Sequence, residues 1–296
     1  MVLRINPSRM PVWRNPDELQ IGGASPVVVK GLSQAQQRLI ALLMRGIPTA
    51  ALPAVAQELG VERPNELLDQ LAGALLADRP PAALDRDYIE NHFAEICRAQ
   101  ATFPVEGSHV IARRQRASVV IEESRTRPLL TQALKSSGIG IVLDEKAKVT
   151  AQMSADVAIT IDHSAHKPRN HRRWLALGVP QIAILFDQSG VQISPLIEVG
   201  KTPCLTCLQM NGDSNQIAID SQLLFSAQRF DDSVSEHFAI AIATQTALRR
   251  IDQSADFALA EFHRTGYRLD SATGSIHELH WNFAEGCLCH RQTTAN

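Results

Sequence analysis

Four cysteines fall into two pairs with spacings suited to metal chemistry. Cys204 and Cys207 form a C-x-x-C within Thr202-Pro203-Cys204-Leu205-Thr206-Cys207-Leu208, and Cys287 and Cys289 form a C-x-C. Each pair can offer two sulfurs to one tetrahedral ion, and zinc with four thiolates is the usual occupant of such a set. Two pairs so far apart would clip the last segment onto the middle of the chain. Two other readings stay open: redox pairing, and four unrelated buried cysteines. His290 follows Cys289 directly and ranks below the four cysteines as a ligand.

The remaining candidate residues carry weaker signals. His163, His166 and His171 cluster after Asp162, but their spacings match neither H-E-x-x-H nor a carboxylate triad. Ser124 has no glycine elbow and no neighbouring base, which argues against a hydrolase. Cys97 sits in a helix-like run from Tyr88 to Arg98 and reads as buried filler. Trp13 and Trp174 read as core or interface anchors.

The elements that must hold these residues follow from composition and periodicity. With 296 residues, 45% of them hydrophobic, the chain can build one large domain or two ordinary ones. A net charge of −2 provides no general attraction to nucleic acid or membrane. Five cysteines do not resemble a secreted disulfide framework. The first residues lack an apolar signal core, and no run is long enough to span a bilayer. A cytosolic protein without membrane partners is expected.

A boundary is expected near residue 80, with a module over 1–80, a linker and helix over 81–116, and an α/β domain over 117–296. In the first part, short strands at Val12–Arg14, Glu18–Ile21 and Val27–Lys30 are separated by Asn-Pro, Gly-Gly and Ser-Pro turns. Ser33 is an N-cap for a helix through Met44, Thr49 begins a second through Leu59, and Pro64 opens a third carrying Leu67, Leu68, Leu71, Leu75 and Leu76. Strands followed by three short helices suggest a winged-helix-like module. Its second and third helices carry few bases, so binding of nucleic acid is disfavoured. Arg79 to Ala83 reads as the linker.

The second part alternates strand and helix: strands at Ser118–Ile121, Ile139–Leu143, Asp156–Ile161 and Gln181–Phe186, helices at Leu129–Ser137 and Asn170–Leu177. This order predicts a mostly parallel, Rossmann-type sheet with covering helices. A helix around Ser235–Ile251 and strand-like segments at Tyr267–Leu269 and Ile276–Trp281 follow. In such a fold a phosphate site opens with glycines between the first strand and helix. Here that turn reads Ile121-Glu122-Glu123-Ser124-Arg125-Thr126-Arg127-Pro128, with no glycine and two carboxylates. Arg125 and Arg127 could bind an anion, yet close backbone approach is obstructed. The site reads as lost.

The assembled order resembles the ThiF-like superfamily, related to ubiquitin-activating and MoeB-type adenylyltransferases. Ala155 to Asp162 resembles the family strand that ends in an acidic residue, and Gly178-Val179-Pro180-Gln181-Ile182 its next strand entry. Gly200 to Leu208 and Gly286 to Cys289 resemble the two halves of its zinc site. The C-x-C half and the N-terminal module look most like actinobacterial ThiF-like proteins named for bacteriocin cyclodehydratase or for leader-peptide binding to TOMM precursors. The resemblance implies that the N-terminal module holds a leader peptide while a YcaO-type partner performs ATP-dependent azoline formation. It also implies a homodimer, a ribose-holding role for Asp144, a magnesium-side role for Asp162 or a neighbour, and phosphate contacts among Lys167, Arg169, Arg172 and Arg173. Ordinary readings stand beside these: strand-end caps for Asp144 and Asp162, and a solvated helix start for the basic run. The reading favoured is a non-catalytic, zinc-containing scaffold that binds a peptide or protein, with ATP and magnesium not expected as cofactors. The alternatives are an adenylyltransferase that activates a C-terminal carboxylate, and a DNA-associated winged-helix regulator.

Overall fold

The computed structural model describes residues 1–7, 9–23, 26–78, 107–144, 155–212, 229–252 and 265–289, together with Tyr88, Asn91, His92, Glu95, Ile96, Arg98 and Ala99. The chain divides into two compact units, Met1–Arg113 and Arg114–Asn296. The expected linker at 79–83, Cys97 and His290 lie outside the described residues.

The first unit contains β1 (Val2–Ile5), β2 (Pro11–Asn15), β3 (Glu18–Ile21), β4 (Val27–Val29), α1 (Gln34–Arg45), β5 (Ile47–Pro48), α2 (Leu52–Glu58), α3 (Pro64–Leu71), a 3-10 turn at Ala72–Ala74 and β6 (Leu75–Asp78). It has two antiparallel sheets, β5-β1-β6 and β2-β3-β4. Ser33 caps α1 as expected: its Oγ accepts the Gln36 N–H at 3.3 Å, and the Gln36 Oε1 accepts the Ser33 N–H at 2.9 Å. That cap sets the phase that buries Leu39, Ile40 and Leu43 against Leu19, Ile21, Leu67 and Leu71.

The third helix ends earlier than its leucine pattern predicts. Leu75 and Leu76 belong to β6, paired with Ile5 and Arg4 of β1. Gly73 weakens helix continuation, and pairing with a strand some 70 residues away overrides local propensity. The short β1, β5 and β6 have no sequence pattern long enough to reveal them.

The second unit follows the expected order. Helix α4 (Gly107–Arg116), which straddles the two units, leads into β7 (Ser118–Ile121), α5 (Arg127–Ser136), β8 (Ile141–Asp144), β9 (Val157–His163), α6 (Pro168–Ala176), β10 (Gln181–Asp187), β11 (Gly190–Ile193), α7 (Leu205–Asn211), α8 (Ser233–Asp252), β12 (Thr265–Asp270) and β13 (Ile276–His280). They form one seven-stranded sheet in the order β13-β12-β11-β10-β9-β7-β8. The stretch β8-β7-β9-β10 is parallel, and β11, β12 and β13 extend it antiparallel, so the sheet is mixed. The hairpin strand β11 and its pairing with β12 were not foreseen. They arise because Gly190, at φ 145°, lets the chain reverse directly onto β10.

Strand alternation sorts the two faces. Val119, Ile121, Val157, Ile159, Ile161, Ile182, Ile184 and Phe186 pack with Leu130 and Leu134 of α5 and with Ala239, Ala243 and Ala247 of α8. The opposite face carries Val120 and Ala158 against Trp174 of α6, and Ala183 against the cysteine region. A buried ion pair fastens the rear of this core: Arg114 Nε and Nη2 donate to the two Asp252 oxygens at 2.7 and 2.5 Å, and Arg114 Nη1 donates to the Ser137 carbonyl at 3.2 Å.

Candidate metal centre and the crevice beside it

The four predicted cysteines converge. Cys204 precedes the first turn of α7 in extended conformation, and Cys207 lies within that helix. Across the fold, a turn through Gly286, at φ 84°, presents Cys287 and Cys289. The Gly200 N–H donates to the Cys289 carbonyl at 2.8 Å, which ties the two segments together beside the sulfurs. Around them Ile197, Leu205, Trp281 and Ala284 exclude water.

The sulfur spacing discriminates among the open readings. The Sγ–Sγ distances are 3.9 Å for Cys204–Cys207, 3.7 Å for Cys204–Cys287, 3.4 Å for Cys207–Cys289 and 3.5 Å for Cys287–Cys289. All four sulfurs lie within 4.8 Å of one another. A disulfide requires about 2.05 Å. A tetrahedron of sulfurs each about 2.3 Å from a central zinc has edges of about 3.8 Å. The observed set fits that tetrahedron and can hold one metal ion such as zinc. Cys204, Cys207 and Cys287 are buried, and Cys289 is half-buried. Burial pushes the Cys204 and Cys289 thiols up. Cys207 is pulled down despite its burial, because the Ala284 and Cys204 backbone and the neighbouring thiols hydrogen-bond its sulfur.

Asp144 and Asp162 are placed at the carboxyl ends of the parallel strands. Asp144 ends β8 and Asp162 lies near the end of β9, on either side of β7. Two strand spacings separate them, about 10 Å. Asp144 meets Arg127 Nη2 at 3.7 Å, and Arg127 Nη1 also reaches Glu123 at 2.8 Å. The arginine expected to be available for an anion is therefore engaged by two carboxylates. Asp162 is buried, and its Oδ2 accepts the Lys167 N–H at 3.1 Å and contacts His166 Nδ1 at 3.3 Å.

Glu122 adopts a position that sequence reasoning did not assign. Its N–H donates to the Ile159 carbonyl and its carboxylate accepts the Ile161 N–H, both at 2.9 Å. It thereby continues the β7–β9 ladder with a side chain. The contact joins residues 39 positions apart, and no local pattern encodes it.

The three histidines do not form a metal site: among the described residues the cysteine quartet is the one group of three or more ligands that converges. His163 stacks on Phe186 at 5.5 Å. His171 is buried on the α6 face, and its Nδ1 lies 2.6 Å from Gln181 Oε1, whose Nε2 donates to Thr160 Oγ1 at 3.0 Å. An acceptor at Gln181 Oε1 assigns the proton to Nδ1. Burial pushes the pKa of His171 down to about 4. Alternation of Thr160 and Asp162 along β9 was the available signal for a polar strip on this face. Of the basic run, Lys167 and Arg172 are exposed, and Arg173 lies 4.8 Å over the Trp174 ring. Trp174 is core, whereas Trp13 is 44% exposed on β2.

No protein-family model matches the chain, and no curated protein matches it in sequence. Solved structures do. A heterocyclase in complex with substrate and cofactor superposes with TM-score 0.66 at 14% identity, over 94% of this chain and 38% of that one. The microcin C7 biosynthetic enzyme MccB in complex with N-formylated MccA gives 0.62 at 12% identity, over 98% of this chain and all of MccB. E. coli MccB with ATP gives 0.63 at 12% identity over 98% of this chain. The chain thus spans well under half of the heterocyclase but the full length of MccB, and at these identities the likeness is one of fold. The superpositions show that the chain shares its fold with MccB and with part of the heterocyclase.

Proposed function

We propose that this chain is a non-catalytic, zinc-clipped peptide-binding scaffold, in which a winged-helix-like first unit receives an extended peptide and a separate enzyme acts on it. The observation that carries the reading is the apolar edge of β2. This strand ends the β2-β3-β4 sheet, and Met10, Val12 and Trp13 are 76%, 50% and 44% exposed beside it. The Gly22 N–H donates to the Met10 carbonyl at 3.0 Å, so alternation turns the Trp13 N–H and C=O toward the open edge. An added strand would hydrogen-bond there and lay its side chains on Val12 and Trp13. In this reading the order α1-β5-α2-α3-β6 is the winged-helix core, with β1 as its third strand, and the sheet-bearing unit forms a homodimer.

Two further observations support this role. The turn after β7 lacks the glycines of a phosphate loop, and the Glu122 carboxylate occupies the strand ends where phosphate would approach. MccB and the heterocyclase have each been captured with a peptide or substrate. The MccB–ATP complex favours one second reading, an adenylyltransferase with an unusual phosphate loop using Asp144 and Asp162.

One experiment separates them. A library of fluorescently labelled extended peptides is titrated by anisotropy against the full chain and Trp13→Pro. Micromolar binding, lost in the variant, is expected, with no ATP–pyrophosphate exchange. Exchange activity, or binding indifferent to Trp13→Pro, overturns the scaffold reading.

A further inference from the structure

We infer that the open edge of β2 selects an acidic extended peptide, one that sets apolar side chains beside Met10 and Val12 and a carboxylate beside Arg14. This names the class of ligand for the edge proposed above, and it rests on the reading that β2 receives an added strand. The two faces of the β2-β3-β4 sheet differ. Leu19 and Ile21 of β3 belong to the core, so Glu18 and Gln20 lie on the outer face. Register carries that face across to β2: Val12 is opposite Gln20, and the Met10 carbonyl accepts the Gly22 N–H. Arg14 joins the same face through its ion pair with Glu18. Along the edge strand the outer face therefore reads Met10, Val12, Arg14: two exposed apolar residues followed by an exposed cation.

The sheet itself leaves that row positive. Arg14 Nη1 meets Glu18 Oε1 at 2.9 Å, and Lys30 Nζ reaches the same oxygen at 3.9 Å. Asn15 Nδ2 donates to the other Glu18 oxygen at 3.3 Å. One carboxylate thus serves two cations. Residues 1–30 hold four bases and two acids, in a chain whose net charge is −2. The ladder also fixes where the charge falls. Register shifts between Trp13 and Asn15, which pairs with Glu18, so Arg14 is the extra residue of a bulge. An added strand follows β2 from Met10 to Trp13 and ends beside Arg14. Neighbours on one face recur every second residue. The ligand pattern is therefore apolar, apolar, acidic at positions i, i+2 and i+4, with the residue at i+3 packed on Trp13. A basic residue at i+4 would face Arg14 as a like charge.

The test uses short fluorescein-labelled peptides with valine at i, i+2 and i+3, threonine elsewhere, and glutamate, lysine or glutamine at i+4. Each is made in both chain orders, so that parallel and antiparallel addition are sampled. In anisotropy titrations of the full chain at low salt, the glutamate peptide is expected to bind at least about threefold more tightly than the lysine peptide. That gap should close near about 1 M salt. Arg14→Glu should reverse the order and Arg14→Gln should erase it. Melting curves establish that each variant is folded, and Arg14→Gln carries the test if Arg14→Glu does not fold. Equal or reversed affinities in wild type, or an order unchanged in folded Arg14→Gln, overturns the acidic preference and leaves the edge reading standing. If no peptide binds, or if binding is indifferent to Trp13→Pro, both fall.

Discussion

Removing the metal from the cysteine centre should lower the melting temperature of the second unit by roughly 9–18 °C. Cys207 and Cys289 stand 82 residues apart and share one cluster of sulfurs. Cross-linking two points so separated removes chain entropy from the unfolded state, worth about 4.5 kcal/mol at 25 °C on the loop-closure relation for a bridge of that length. The second unit, Arg114–Asn296, falls in the size range where 1 kcal/mol moves the midpoint by about 2–4 °C. The shift is a lower bound, because four clustered thiols without a cation also lose their common partner. The assay is differential scanning calorimetry of protein as purified, after chelation, and after zinc is returned, with metal content measured in parallel. About one zinc per chain and a reversible shift are expected. A chelated sample that melts within about 3 °C of the loaded one refutes the clip. Protein that carries no metal and titrates no free thiols refutes the centre itself.

Two further outcomes follow from buried polar groups on the two faces of the sheet. Arg114→Ala should destabilise the second unit by about 3–5 kcal/mol, because it strands Asp252 in the core. In urea denaturation, Arg114→Met combined with Asp252→Leu should recover most of that loss, and no recovery would show that more than the ion pair is at stake. His171 is held neutral in the fold, with its pKa lowered from 6.5 to about 4. Between those values the unfolded chain binds more protons, so stability is fully present above pH 6.5 and falls as pH drops toward 4, by up to about 3 kcal/mol. His171→Gln should flatten that acid limb, and an unchanged slope in the variant would assign the limb to other groups.

What the sequence discloses here divides by range of interaction. The helix expected from Ser33 through Met44 is encoded in a cap and a 3.6-residue apolar period, both local, and it forms over Gln34–Arg45. Strands β7, β9 and β10 are buried on both faces, so their apolar runs are continuous and unmistakable. The cysteine pairs are legible because a tetrahedral ion restricts the spacing within each pair. The convergence of the two pairs is decided by how β11, β12 and β13 return alongside β10. The short β1, β5 and β6 exist because they pair with one another, and two to four residues cannot announce that in advance. Glu122 and the His171–Gln181–Thr160 chain belong to the same class. Their residue types are visible, but their partners lie 10 to 39 positions away. Asp144 and Asp162 illustrate the limit most sharply, since strand-end position was predictable and the engagement of Asp144 by Arg127 was not.

The two halves of the cysteine centre also set an order of events during synthesis. Cys204 and Cys207 leave the ribosome with α7, but the ligand set stays half complete until residue 289 has emerged. By then β7 to β10 can have condensed through mostly nearer contacts, whereas β12 and β13 lie inside the loop that the metal closes. Contacts of such sequence separation form late, because their closure entropy must be met before they contribute stability. The parallel strands and β11 are therefore able to assemble without metal, and β12 and β13 are the part whose folding waits for it. Were the site to hold zinc, a chain deprived of it would stop with part of its sheet unmade and a strand edge uncovered, a state that proteolysis and aggregation both recognise.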